Sequence, residues 1–209
     1  MRAVLADMAL EVEAATALIM RLCRSFDLAA NDVKEAARAR LLTPAVKYWV
    51  CKTAPAFVYE AMECLGGNGY VEESLLPRLY REAPVNAIWE GSGNVMCLDV
   101  LRALAVERDA ASAVLDALAG ETADLPGGAE ASRFIAASFS RAGGESGARA
   151  AVGRLALLAA AAALRGSAPA AAELFAGTRL HECRAAIYGT SDIADGEVRL
   201  LLDRALPAG

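Results

Sequence analysis

One carboxylate in this chain stands where a proton-transfer group would be placed. Glu90 lies in Trp89-Glu90-Gly91-Ser92-Gly93, directly ahead of a helical stretch whose apolar stripe is Val95, Leu98, Val100, Leu101 and Leu104. Gly91 lets backbone approach a ligand closely, and the positive end of a helix favours an ionised carboxylate. A substrate that excludes water on arrival raises the proton affinity of such a group and poises it as a general base. A helix-capping acid would use the same residues, so the motif alone leaves both readings open. Upstream, Leu65-Gly66-Gly67-Asn68-Gly69-Tyr70 follows another helical stretch. Taken alone it reads as a turn, because a dinucleotide-binding GxGxxG needs a strand before it and none precedes this one.

The elements that must position these residues read as helices. From Met1 to Phe26, Val4, Leu5, Met8, Val12, Ala15, Leu18, Ile19 and Leu22 fall on one face. This first helix starts without a capping residue, as a segment continuing from something longer would. Asn31 or Asp32 caps a second helix. Thr43-Pro44 is either a new cap with proline at the first position or a kink in one helix ending near Leu65. Pro55 adds a bend, and Gly66 supplies the left-handed stop. Residues 66 to 91 read as an irregular connection with one helical turn near Leu79 to Ala83, and connections of that length are usually functional. Ser92 caps the helix that follows. Further helices are expected at 110–119, 129–141 (ended by Gly143-Gly144), 146–165, 169–187 and 192–205, with a Leu125-Pro126-Gly127-Gly128 break. No stretch alternates β-branched residues, so a sheet is not expected. The expected fold is all-α: an antiparallel helical bundle over residues 1–106 with a smaller helical subdomain over 107–209.

Composition narrows the function classes. The chain has 209 residues, 56% of them hydrophobic and only 6% aromatic, a balance that favours packed helices. The apolar run Leu155 to Leu164 is too short to span a bilayer, so no membrane association is expected. No signal peptide precedes the first helix, so a cytoplasmic setting is expected. Cys23, Cys51, Cys64, Cys97 and Cys183 form no CxxC pair and read as small core residues in a reducing compartment. His181 stands alone, which argues against a metal site. From residue 107 onward ten Arg and no Lys face thirteen Asp or Glu. That balance speaks against strong DNA binding.

Taken together, ECLGGNGY and PRLYREAPVNAIWEGSGNVMCLDVLRAL resemble the C-terminal helical domain of the acyl-CoA dehydrogenase family, nearest its alkylation-response (AidB-type) branch. The specific likeness covers about residues 45 to 106, and a looser one runs along the whole chain. The resemblance implies removal of an α-proton from an acyl-CoA thioester while FAD accepts hydride from the β-carbon. It implies Glu90 as the catalytic base, although some members carry the base on another helix. It places Gly66 and Gly67 against the FAD of a neighbouring subunit and Ser92 and Asn94 beside the flavin nucleotide. Glu63 stands where many members have glutamine, which alters that polar contact. Trp89, where tyrosine is usual, and Gly91 border the acyl-CoA substrate. The family's N-terminal helical domain and middle β-domain have no counterpart in these residues, so the chain reads as the last third of such a protein. FAD is therefore expected to bind weakly or not at all to this part alone. The resemblance further implies a homodimer or homotetramer and, from the AidB-type branch, a second possible role in DNA protection.

Overall fold

The computed structural model describes residues 1–140, 144–181 and 187–206. Among these, every regular element is helical and no strand occurs. Cys183 and Gly143, two residues singled out above, lie outside the described residues.

Two long helices form the frame. Helix α1 (Arg2–Leu28) turns through residues 29–32 into α2 (Val33–Cys64), and the two pack as an antiparallel hairpin. Asp32 starts α2 by accepting hydrogen bonds from the backbone N–H groups of Lys34, at 2.8 Å, and Glu35, at 3.4 Å. Arg21 closes the hairpin with a forked pair to Glu35 at 2.8 and 2.9 Å, and Ser25 donates to the same carboxylate at 2.6 Å.

Pro44 lies inside one continuous α2, as does Pro55. Thr43 is therefore not a new cap. Its hydroxyl donates backward to the Ala39 carbonyl at 2.6 Å, where a cap would accept from an N–H ahead of it.

Past Gly66 the connection is more ordered than expected. A single turn, α3 (Gly67–Tyr70), precedes the eleven-residue α4 (Leu76–Asn86). Helix α4 is weakly apolar and buries only Pro77 and Ala83. It is held by lying back along α2, with the Tyr59 and Tyr80 rings 6.3 Å apart. Such tertiary packing supports a helix that buries little of its own surface.

Helix α5 (Gly93–Val106) then crosses α2, fixed by Arg40 to Asp99 at 2.9 Å. Glu107 separates it from α6 (Arg108–Glu121), and α7 (Gly128–Phe139), α8 (Ala148–Ser167), α9 (Pro169–Ala176) and α10 (Asp195–Ala205) follow. The helix expected over 169–187 is shorter, because a π-turn (Gly177–His181) follows Ala176.

Helix α8 lies at the centre, packing on α1, α2, α7 and α9. The segment Glu145–Ser167 is long and apolar enough to cross a membrane, yet here its buried side chains, Leu155, Leu158 and Leu164 among them, join the core. The core is continuous across residue 107: Leu10, Leu41 and Val100 belong to the same buried cluster as Leu118, Leu164, Phe175 and Leu201. A buried Asp7–Arg179 ion pair ties α1 to the π-turn.

Candidate functional site

The turn that carries Glu90 is built by α2. Lys47 extends from that helix and donates from Nζ to the Trp89 carbonyl at 2.5 Å and the Gly91 carbonyl at 2.8 Å. Between those carbonyls Glu90 has φ +53°, the one left-handed backbone among described residues other than glycine. A non-glycine residue held there costs on the order of 1–3 kcal/mol and persists only where its surroundings enforce it. Gly91 follows at φ +121°, and a Cβ on it would overlap Met96 Cε. The glycine is thus required by conformation, while the overlapping Met96 methyl ends a flexible side chain.

Glu90 points outward, and among the described residues no side chain pairs with its carboxylate. Trp89 beside it is 58% exposed. Ser92 occupies the N-cap position of α5 with extended backbone, but its hydroxyl makes no capping bond. The expected cap is therefore not formed. That leaves Ser92 Oγ and the first N–H groups of α5 available to another acceptor or donor. Asn94 Oδ1 accepts from Arg149 at 3.4 Å, and Arg149 also donates to the Tyr48 hydroxyl at 3.3 Å. Tyr48 in turn packs under Gly93, where a Cβ would stand 3.4 Å from its ring.

The crevice beneath this turn, between Lys47, Cys51, Gly91 and Met96, encloses about 10 Å³. That is room for one water at most. Any substrate of Glu90 must therefore lie over the turn. Burial pushes the Cys51 thiol up, more than neighbouring Lys47 draws it down, so Cys51 is a neutral wall of the crevice.

Glu63, Gly66 and Gly67 sit at the other end of α2. Glu63 is about 24 Å along the helix from Lys47, at a rise of about 1.5 Å per residue, and the two glycines follow just past its end. The structure thus forms two clusters from the residues singled out in the sequence. Gly66 has φ +59° and a Cβ on either Gly66 or Gly67 would meet nothing within 4 Å. Gly66 is explained by its backbone, whereas packing within the chain gives no reason for glycine at 67. Gly69 is different, since a Cβ there would run into the Met62 carbonyl.

Beyond Trp49 the side chains of α2 are only partly covered. No side chain between residues 50 and 65 is fully buried, and Tyr59, Leu65, Tyr70, Leu75, Ile88 and Trp89 are each at least 54% exposed. Lys47, Tyr48 and Arg149 are the site residues that sequence reasoning missed. The scarcity of lysine was a faint pointer to the first; nothing local pointed to Arg149.

Residues 1–105 match the family model for the acyl-CoA dehydrogenase C-terminal domain. Over 104 residues the chain is 65% identical to the putative acyl-CoA dehydrogenase AidB of Escherichia coli (strain K12), an alignment covering 50% of this chain and 19% of that protein. It is 42% identical over 102 residues to acyl-CoA dehydrogenase family member 11 of Caenorhabditis elegans, covering 47% of this chain and 16% of that one. The chain thus spans about a fifth of the length of these curated relatives. Among solved structures, Caenorhabditis elegans ACDH-11 in complex with C11-CoA superposes on 98% of this chain, and 39% of its own, with TM-score 0.74 and 23% identity. That likeness is one of fold, and it reaches beyond α5 into the C-terminal helices. The Bd2924 apo-form matches over 75% of this chain and 31% of its own, at TM-score 0.66 and 29% identity.

Proposed function

The chain belongs to the acyl-CoA dehydrogenase family, and from that premise we propose that it supplies the base-bearing, flavin-contacting helical part of an FAD-dependent acyl-CoA dehydrogenase. The observation that carries the reading is Glu90, held left-handed at the start of α5 with an exposed and unpaired carboxylate. In the proposed reaction a Glu90 oxygen takes the α-proton of an acyl-CoA thioester lying over the turn. FAD, when bound, supplies the acceptor for the hydride leaving the β-carbon. The α5 N-terminus favours the ionised base before substrate arrives. Substrate and covering protein then exclude water and raise its proton affinity.

The residues present fit FAD as part of its shell. Ser92 Oγ, Asn94 and the free N–H groups of α5 would face the nucleotide. Gly67, with open space where a side chain would be, admits close approach at the far end of α2, together with Gly66 and Glu63. Two separate contact points, one at the start of α5 and one past the end of α2, fit two flavins held with different subunits. A homodimer or homotetramer joined through the uncovered face of α2 and α4 is part of the same reading. So is a cytoplasmic setting, supported by the unbridged thiols of Cys23, Cys51, Cys64 and Cys97. DNA protection finds less support: of the arginines after residue 107, Arg133, Arg165, Arg179 and Arg204 are already paired with carboxylates.

The test is Glu90→Gln in the full-length protein. Flavin reduction by an acyl-CoA should fall by roughly 10²–10⁴-fold or more with FAD retained. An unchanged reduction rate would remove Glu90 from the role.

A further inference from the structure

We propose that Lys47 is the positioning residue for Glu90, an ammonium clamp that fixes the direction of the base without touching the reacting atoms. The inference rests on the reading of Glu90 as the base. One Nζ binds the carbonyls on either side of Glu90, those of Trp89 and Gly91, at 2.5 and 2.8 Å. The residue between those two carbonyls is Glu90, whose φ of +53° sets the turn that brings both within reach of one ammonium. Glu90 itself stays exposed.

The chemistry of the clamp suits the role. A lysine has three donors and no acceptor, and here two of them go to backbone oxygens. Its charge thus holds the turn, and the carboxylate keeps its lone pairs for a proton. The platform is rigid: Lys47 follows Ala45 and Val46, both buried in the core, and precedes Tyr48, which packs under Gly93. Beneath the turn, Met96 fills the space that a side chain at position 91 would need. The clamp and the left-handed step at Glu90 together define the turn.

Two measurements test this. The first is hydrogen–deuterium exchange of backbone amides 89–93 in the chain itself. Lys47→Met should speed it by about tenfold or more, and Lys47→Arg, which keeps charged donors, should stay near wild type. Unchanged exchange in Lys47→Met overturns the clamp whatever the chemistry proves to be. The second is single-turnover flavin reduction in the full-length protein with butyryl-CoA as probe. Lys47→Met should slow reduction by about 10- to 100-fold, the penalty of a misdirected group, with butyryl-CoA binding within about twofold and FAD content unchanged. Lys47→Arg should recover most of the rate. Added to Glu90→Gln, Lys47→Met should slow reduction no further, because residues acting as one unit are not additive. A full multiplicative loss in that double variant, or loss of FAD, marks Lys47 as structural only and overturns the proposal. Wild-type reduction by Glu90→Gln alone defeats the base reading and Lys47's part in the reaction, while the exchange data still report separately on the clamp.

Discussion

Removing the Arg179 guanidinium while leaving its partner in place should be among the most damaging single changes in this protein. Asp7 is fully buried and the Arg179 side chain is 3% exposed. Their pair is surrounded by further polar contacts. Gly189 N–H donates to Asp7 at 2.9 Å, Ser191 lies 3.4 Å from both Asp7 oxygens, and Arg179 also donates to Thr178 at 2.9 Å. In Arg179→Met the new side chain has similar length and can stay against the Phe175 ring, over which the guanidinium now sits at 5.8 Å. The carboxylate remains, with one N–H and one hydroxyl in place of a cation. A buried charge stripped of its partner costs about 3–5 kcal/mol. For a domain of this size each kcal/mol lowers Tm by about 2–4 °C, so the expected fall is roughly 6–20 °C. Thermal unfolding followed by far-ultraviolet circular dichroism measures it. Asp7→Leu combined with Arg179→Met removes both charges and should recover most of the loss, since the two sites are coupled. A fall below about 2 °C, or a double variant as poor as the sum of the singles, would refute the argument.

Two further outcomes are expected. The Arg21 guanidinium, by hydrogen bond first, holds the Glu35 carboxyl below its ordinary value of 4.5, against the upward pull of burial. A depressed folded value stabilises the protein above the unfolded one and loses its effect as pH falls through it. Glu35→Gln should therefore cost about 1–3 kcal/mol near neutrality, a deficit that shrinks below about pH 4.5 in urea titrations. A deficit constant into acid would dissociate it from the ion pair. Finally, the chain on its own should purify colourless and self-associated, because the apolar side chains of α2 and α4 are uncovered. Size-exclusion chromatography with light scattering and a flavin absorbance scan would contradict this by finding a yellow, stoichiometrically loaded monomer.

How much of this was legible in the sequence depended on how far apart the cooperating residues lie. Asp32 and Gly66 act within a few positions of themselves, and both their roles were readable in advance. The position of Glu90, between a helix start and an adjoining glycine, was readable for the same reason. Thr43-Pro44 was ambiguous because the same dipeptide serves a cap or a kink, and the choice fell to where the Thr43 hydroxyl points. Helix α4 was underestimated because it is short, polar on average and buries only Pro77 and Ala83, although its few apolar residues share one face. Ser92 was in the right place without making the expected bond. Lys47 meets its acceptors 42 and 44 positions away, and Arg179 meets Asp7 across 172. No local spacing rule spans such distances.

Helix α2 is held in two different ways along its length. Up to Trp49 it is embedded in the core; from there to Cys64 no side chain is fully covered. Mechanically it is a beam built into a wall for half its length and braced from the side for the rest. The brace is α4, lying along it with Tyr59 against Tyr80, and Phe57 meets Tyr188 edge-on at 5.8 Å. The clamped turn of Glu90 sits by the built-in half, and Gly66-Gly67 follow the braced one. What the brace leaves open is a surface rather than a loose end, with Leu65, Tyr70 and Leu75 each more than half exposed. One helix thus fixes a turn from its embedded half and offers, along the other, a face with room for another body.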